Sequence, residues 1–224
     1  MAGRILGMGD MLTLIEQTEK AFDADQAATV QQPMLQALQY LLNIRQQRFY
    51  VSDIIDLLQV PELAAKFELD AAGISKLSQW LMQAGAHWGL HSEQRQSIGI
   101  RYDYQQFSLF HALQRMLLGY ALGDDVGIDQ AESTGSDTVD SNGAPLGAVQ
   151  GLEADCAGQL ALLLQQLDHW WRQCATAQTA KDWYQQLLQL LEDFFRAETE
   201  QSLLLVQQLR DELGQWQQSC KQAR

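Results

Sequence analysis

The sequence predicts an all-α fold, a multi-helix bundle interrupted by one long acidic loop. Apolar residues recur at three- and four-residue spacing in segment after segment, as in Met34, Leu38, Leu41 and Leu42, which marks a buried helical stripe. Two-residue alternation, the signature of strands, is almost absent. Residues 123–151 are rich in Gly, Asp, Ser and Thr, a loop composition. With 224 residues and 46% hydrophobic content, the chain can bury a real core in one large domain or two small ones, which argues against wholesale disorder. These shifts divide it into a leader (1–28), a helical part (29–122), the acidic loop (123–151) and a second helical part (152–224).

In the leader, "GRILGMGD" is no nucleotide loop: Gly7-Met8-Gly9 has no third glycine and no Lys-Ser/Thr after it. It reads as a glycine hinge with Asp10 capping a helix whose apolar face is Met11, Leu14, Ile15, Thr18 and Phe22. Pro33 is expected at the start of the next helix. Ser52 or Asp53 should cap the helix that buries Ile54, Ile55, Leu57 and Leu58. Pro61 marks a break, and "PELAAKFEL" a short helix after it. "AAGISKLSQWLMQAG" turns Ile74, Leu77, Trp80 and Leu81 inward and stops at Gly85. "AHWGLHSEQRQSIGIRYDY" loses the helical period and is expected to be irregular, with a short extended piece at Ile98–Tyr102. "FSLFHALQRMLLGYALG" is helical again. After the loop, "GQLALLLQQLDHWWRQC", "DWYQQLLQLLEDFF" and "ETEQSLLLVQQLRDELGQWQQ" predict three long helices. Sixteen glutamines between Gln150 and Gln222 give these a polar face that is soluble without charge and suited to protein contacts.

A formal charge of −13 and a pI near 4.5 argue against an autonomous nucleic-acid binder. From Met116 to Trp171 there are nine Asp and Glu and no Lys or Arg, so that stretch would repel a phosphate backbone. Cys156, Cys174 and Cys220 are odd in number and lack C-x-x-C spacing, which suits thiols in a reducing compartment. No signal peptide and no apolar run of membrane-spanning length stands out, so a cytoplasmic address with no membrane partner is expected.

Chemistry-bearing constellations are few. His87 and His91 have a helical metal-ligand spacing, but Gly85 and Gly89 interrupt the helix that would align them. Asp168-His169 lacks a nucleophile. Asp53 with Asp56, and Glu192 with Asp193, are acidic pairs that would need a cleft and further ligands for acid-base work or magnesium, and helix-start placement explains Asp53 and Asp56 without chemistry. No catalytic set, cofactor or metal is called for. Arg48 and Arg115 are isolated cations beside aromatics, in "RFY" and "QRMLLGY", able to meet phosphate or to cap and bridge helices. With Trp88 they form the candidate partner or DNA contacts.

An ordered series of blocks carries a resemblance: "QPMLQALQYLLNI", "RFYVSDIIDLLQVPELAAKFEL", "LSQWLMQAGAHWGLH", "QRMLLGYALG", "GLEADCAGQLALLLQQL" and "DWYQQLLQLLEDFFRAETE". Over roughly residues 32–215 the chain resembles an interior section of RecC, the gamma chain of exodeoxyribonuclease V. It departs from the family pattern where His87 and His91 stand in place of an arginine and an aspartate, and where Phe107 and Ala112 replace a tryptophan and a glycine. The resemblance implies a helicase-like accessory (2B-type) subdomain without ATPase or nuclease motifs. It also implies the other exodeoxyribonuclease V subunits as partners, duplex or single-stranded DNA met only through the full complex, and a role in break repair and recombination. The first 28 residues, with "RILGMGD" then "LIE", resemble the linker before the methionine-rich domain of the bacterial signal recognition particle GTPase.

Two other readings compete: a free-standing helical interaction module, and a targeting component related to the signal recognition particle. An isolated section would also expose apolar surface that its parent covers. Trp170, Trp171, Phe194 and Phe195 are the residues expected there, with self-association as the consequence.

Overall fold

The computed structural model describes residues 5–6, 28–100, 105–122 and 152–222. The expected Asp10-capped helix and the loop over 123–151 lie outside them. Among the described residues the helices are α1 (Ala28–Leu42), α2 (Val51–Leu58), α3 (Pro61–Lys66), α4 (Ala71–Gln83), α5 (Ser92–Ser97), α6 (Leu109–Leu122), α7 (Leu152–Gln173), α8 (Ala180–Phe194) and α9 (Glu200–Gln222). A 3-10 turn spans Ile44–Gln46, and β1 (Ile5–Leu6) pairs antiparallel with β2 (Gln178–Thr179). The all-α expectation holds. No helix among the described residues is long and apolar enough to cross a membrane. The chain divides into two compact units, with boundaries falling inside α2 and α7.

The first unit comprises Met1–Gln47, Asp56–Glu68 and Gln166–Arg224. In it α8 packs against α9 and α3, and α1 against α9 and α3. Trp183, Leu187, Leu190, Leu191 and Phe194 fall on one face of α8 and are all buried, the four-three-one-three spacing of a core stripe. Met34, Leu38, Leu41 and Leu42 of α1 are buried as their spacing predicts. Trp170 meets Trp183 edge-on with centroids 6.2 Å apart, and its Nε1 donates to the carbonyl of Leu41 at 2.7 Å. Phe67 and Phe194 form a second edge-on pair at 6.3 Å. Thr199 and Ser202 cap α9 reciprocally: each hydroxyl accepts from the other's amide at 3.1 Å.

Two expectations are corrected here. Pro33 does not begin a helix; it is the sixth residue of α1. Its missing N–H removes one backbone bond, and its ring is exposed, so the helix runs through it without a buried defect. Trp170, Trp171, Phe194 and Phe195 are not exposed: they are 3%, 3%, 1% and 6% accessible. Facing helices of the same unit supply aromatic neighbours for Trp170 and Phe194, so these residues are core. Among the described residues of this unit, Leu203 and Leu204 on α9 are the large exposed apolar ones.

The second unit comprises Arg48–Ile55 and Leu69–Gln165. Asp70 caps α4 by accepting from the Gly73 amide at 2.7 Å. The helix stops at Gly85 (φ 74°), where the Ala86 amide returns to the Leu81 carbonyl, as the glycine predicts. Packing of α4 on α6 closes the unit. The cap of α2 is corrected: the helix starts at Val51, ahead of Ser52 and Asp53. Asp53 instead reaches back, its Oδ2 accepting from the Tyr50 amide at 3.1 Å. The irregular reading of 86–104 is corrected in part, because Ser92–Ser97 form α5 with His91 as N-cap. No extended piece begins at Ile98: that residue ends α5, and Gly99 turns the chain at φ 98°.

Candidate functional site

The chain between Ala84 and His91 gathers the three candidate contacts in the second unit. Gly89 is the pivot. Its amide is shared by the carbonyls of Arg48 and Phe49, each at 2.9 Å, and its carbonyl accepts from Leu109 at 2.9 Å. Tyr50 and Trp88 form an antiparallel bridge, and the Val51 amide donates to the His87 carbonyl at 3.2 Å. The His87 amide donates to the Phe107 carbonyl at 2.9 Å. Three sequence stretches, 48–51, 84–91 and 105–110, are therefore tied together by main-chain bonds. Phe49, buried at φ 55°, and Phe107, half-exposed at φ 62°, take the left-handed conformation that this crossing imposes.

Arg48 is exposed, and its Nη1 donates to the Tyr50 hydroxyl at 3.3 Å. Trp88 is partly buried and carries the Arg95 guanidinium 4.5 Å above its ring. Arg115 donates through Nη1 to the Ala84 carbonyl at 2.9 Å, bridging α6 to the end of α4. That bond is the helix bridge weighed for Arg115 in the sequence. His87 lies against Phe107 with centroids 5.4 Å apart. Cations and aromatics thus gather at this crossing in two groups, Arg48, Tyr50 and Trp88 in one, and His87 with Phe107 and Arg115 in the other.

Arg95 is the residue that sequence reasoning missed. It is 3% accessible, donates Nη1 to the Gln106 carbonyl at 2.8 Å and Nη2 to the Trp88 carbonyl, and so clasps the turn from inside. The only signal was a lone arginine in "SEQRQS", indistinguishable from a solvated one until α5 is placed.

The two histidines of the metal-like spacing have separate duties. His91 Nδ1 accepts from the Gln94 amide at 3.2 Å as the cap of α5, while His87 lies on Phe107. Among the described residues, no three His, Cys, Asp or Glu side chains are grouped to hold a metal. Asp168 pairs with Arg172 at 2.9 Å, His169 with Gln173 at 2.8 Å, and Glu192 with Arg210 at 3.2 Å, all on exposed helix faces. Such pairs contribute little to stability. In the first unit, Arg45 sits 4.2 Å over the Trp171 ring and donates to its carbonyl. Burial pushes the nearby Cys174 thiol up to about 12, against a smaller opposing effect of Arg45, so it stays protonated and unreactive.

His111 in α6 has its pKa lowered by burial, and secondarily by Arg115 and Arg95. A folded-state value below 6.5 means that its contribution to stability is complete above pH 6.5. It is lost as pH falls and the unfolded chain takes up the proton first. Urea midpoints measured across that range should fall with acidity, and His111→Gln should flatten the part of the fall that it causes.

A family model for the fourth domain of the RecBCD enzyme subunit RecC matches residues 31–224. The RecBCD enzyme subunit RecC of Escherichia coli (strain K12) is 33% identical over 196 residues, covering 87% of this chain and 16% of that protein. The Haemophilus influenzae RecBCD enzyme subunit RecC is 28% identical over 177 residues, 78% of this chain and 14% of that protein. A 27-residue stretch, 12% of this chain and 5% of the other protein, is 74% identical to the signal recognition particle protein of Mycobacterium leprae (strain TN). The chain thus spans a small part of the length of the relatives it matches, and from residue 31 to its last residue it belongs to the family of the RecC fourth domain.

Proposed function

We infer that this chain acts as a non-catalytic helical section of a RecC subunit, giving scaffold and partner surface to a RecBCD-type complex in double-strand break repair. The match of residues 31–224 to the RecC fourth domain carries the reading. In it the chain hydrolyses neither ATP nor DNA, works in the cytoplasm and reaches DNA only within the complex. Residues 29–122 and 152–224 form a helicase-like accessory subdomain linked through 123–151, and the leader stands outside it.

Within this reading the cations and aromatics gathered around this crossing make the contact surface. Arg48, Trp88 and Arg115 offer guanidinium groups and an indole at one crossing of the chain, chemistry suited to phosphate and stacked bases or to an acidic partner face. Arg48 is the informative position, because its side chain is exposed and makes a single side-chain bond to Tyr50. Mixing the full chain with the RecB and RecD subunits should capture at least one of them. Arg48→Glu should weaken that capture about tenfold, or lower the salt slope of DNA-end binding by about one, while leaving the unfolding free energy within about 0.5 kcal/mol. Failure to capture either subunit under conditions where intact RecC does so would overturn the reading. A tight, unrelated protein partner in its place would favour a free-standing interaction module.

A further inference from the structure

Within the second unit, the charge of α4, of α6 and of the turn after α4 runs against that of the whole chain. Residues 71–91 and 107–122 contain Lys76, Arg115, His87, His91 and His111 and no Asp or Glu, in a chain of formal charge −13. Asp70, the cap of α4, lies at the helix end opposite Gly85. Because α4 and α6 pack on each other, the two acid-free stretches come together.

Exposed apolar side chains stand at the same end of α4. A Cβ on Gly85 would lie 3.6 Å from the Phe107 ring and 3.9 Å from Arg115 Nη1, so both side chains border that helix end. Phe107 is 44% exposed, and Met82, in the last turn of α4, is 63% exposed. On α6, His111, Arg115 and Leu118 are spaced four and three apart and share one flank, where Leu118 is 43% exposed. Leu117 is exposed too, but two residues from Arg115 is more than half a helical turn, which puts it on the other flank. Arg115 is already held in place by its bond to the Ala84 carbonyl, so less ordering is needed before it can meet a partner.

Methionine, aromatic residues and arginine are the types enriched at the centres of protein interfaces, where Lys, Glu and Asp are depleted. Met82 and Leu118 give a base nothing to stack on, and Lys76 and Arg115 are too few to neutralise a run of phosphates. A symmetric contact with a second copy would set the same cation-bearing surface against itself. We propose that the surface of Met82, Phe107 and Leu118 around Arg115 docks an acidic amphipathic helix of a partner protein. Its apolar stripe covers the three exposed side chains, and its carboxylates face Arg115. The proposal rests on this surface alone and stands apart from the RecC reading, which capture of RecB or RecD tests separately.

The test uses the full chain and two labelled helix-forming peptides with the same leucine and phenylalanine stripe. One carries glutamate on its flanks and the other lysine, and labelled oligothymidine is the third probe. Fluorescence anisotropy is read at about 0.15 M salt, where exposed charges more than about 8 Å apart are largely screened. The net charge of the chain favours the lysine peptide, so the reverse order reports the local surface. The glutamate peptide should bind about tenfold more tightly than either other probe. Met82→Ser combined with Leu118→Ser should weaken it about tenfold, whereas Leu117→Ser should change it less than about twofold. All three positions are exposed, so both variants should keep the wild-type melting temperature within about 2 °C. Arg115 is left unchanged because it holds the end of α4. Equal or tighter binding of the lysine peptide or of oligothymidine overturns the proposal, as does equal damage from Leu117→Ser or no binding of the glutamate peptide. A dimer in sedimentation equilibrium that Met82→Ser with Leu118→Ser abolishes would assign the surface to a second copy and overturn it too.

Discussion

Gly89→Ala is expected to lower the unfolding free energy by about 3–5 kcal/mol, from left-handed strain together with loss of charged hydrogen bonds. Gly89 has φ 80°, where an L side chain is strained, and a Cβ there would lie 2.5 Å from Arg95 Nε and 3.0 Å from its Cγ. Arg95 has no easy retreat: it is buried, and its two terminal nitrogens are fixed by the carbonyls of Gln106 and Trp88. The side chain must leave its clasp or the turn must open. For a chain of this size the melting temperature should fall by about 10 °C. Gly99→Ala separates the two causes, because Gly99 has φ 98° with nothing within 4 Å of the added Cβ. It should cost only the conformational part, about 1–2 kcal/mol. Equal losses in the two variants would mean that the Arg95 clasp is not what makes Gly89 indispensable.

Trp170→Ala should cost about 3–5 kcal/mol in the first unit, as for other large aromatic truncations in a core. Trp170 is 3% accessible, packs edge-on to Trp183 and donates to the Leu41 carbonyl. Leu41 lies in the last turn of α1, where carbonyls have no partner within the helix, so the indole N–H completes that helix end from 129 residues away. Trp170→Phe keeps most of the volume but strands the carbonyl, and should cost about 1–3 kcal/mol. Denaturant titrations of the two variants, with near-ultraviolet circular dichroism to follow the Trp170–Trp183 pair, check both values. A Phe variant as stable as the wild type would show that water or another donor replaces the indole.

The elements that the sequence made legible are those with long, one-sided apolar spacing. α8 is the clearest case, since its stripe from Trp183 to Phe194 needs no tertiary information to be read. Gly85 was readable as a stop because a left-handed helix end has few alternatives. α5 was not, since six residues reading "SEQRQS" have no apolar stripe, and their helix is held by the His91 cap and by Arg95 reaching into the unit. The exposure expected of Trp170, Trp171, Phe194 and Phe195 failed because burial depends on which helices face each other. Periodicity gives the direction of a side chain on its own helix, not what covers it. Arg48, Trp88 and Arg115 were picked for residue type, and only the fold places them around Gly89. The β1–β2 pairing was invisible for a related reason: two residues are too few for a period, and main-chain pairing leaves little trace in side-chain identity.

The bond from Trp170 to Leu41 also sets a schedule for the nascent chain. At about 5–20 residues per second, the 129 residues between them take about 6–26 s to synthesise. Throughout that interval the apolar face of α1 has been made but its aromatic cover has not. Met34, Leu38, Leu41 and Leu42 therefore have only α3 to pack on until α7 and α9 leave the ribosome. The first unit is a late folder by construction of its chain path, and ribosome-bound intermediates stalled before Trp170 should be its most aggregation-prone form.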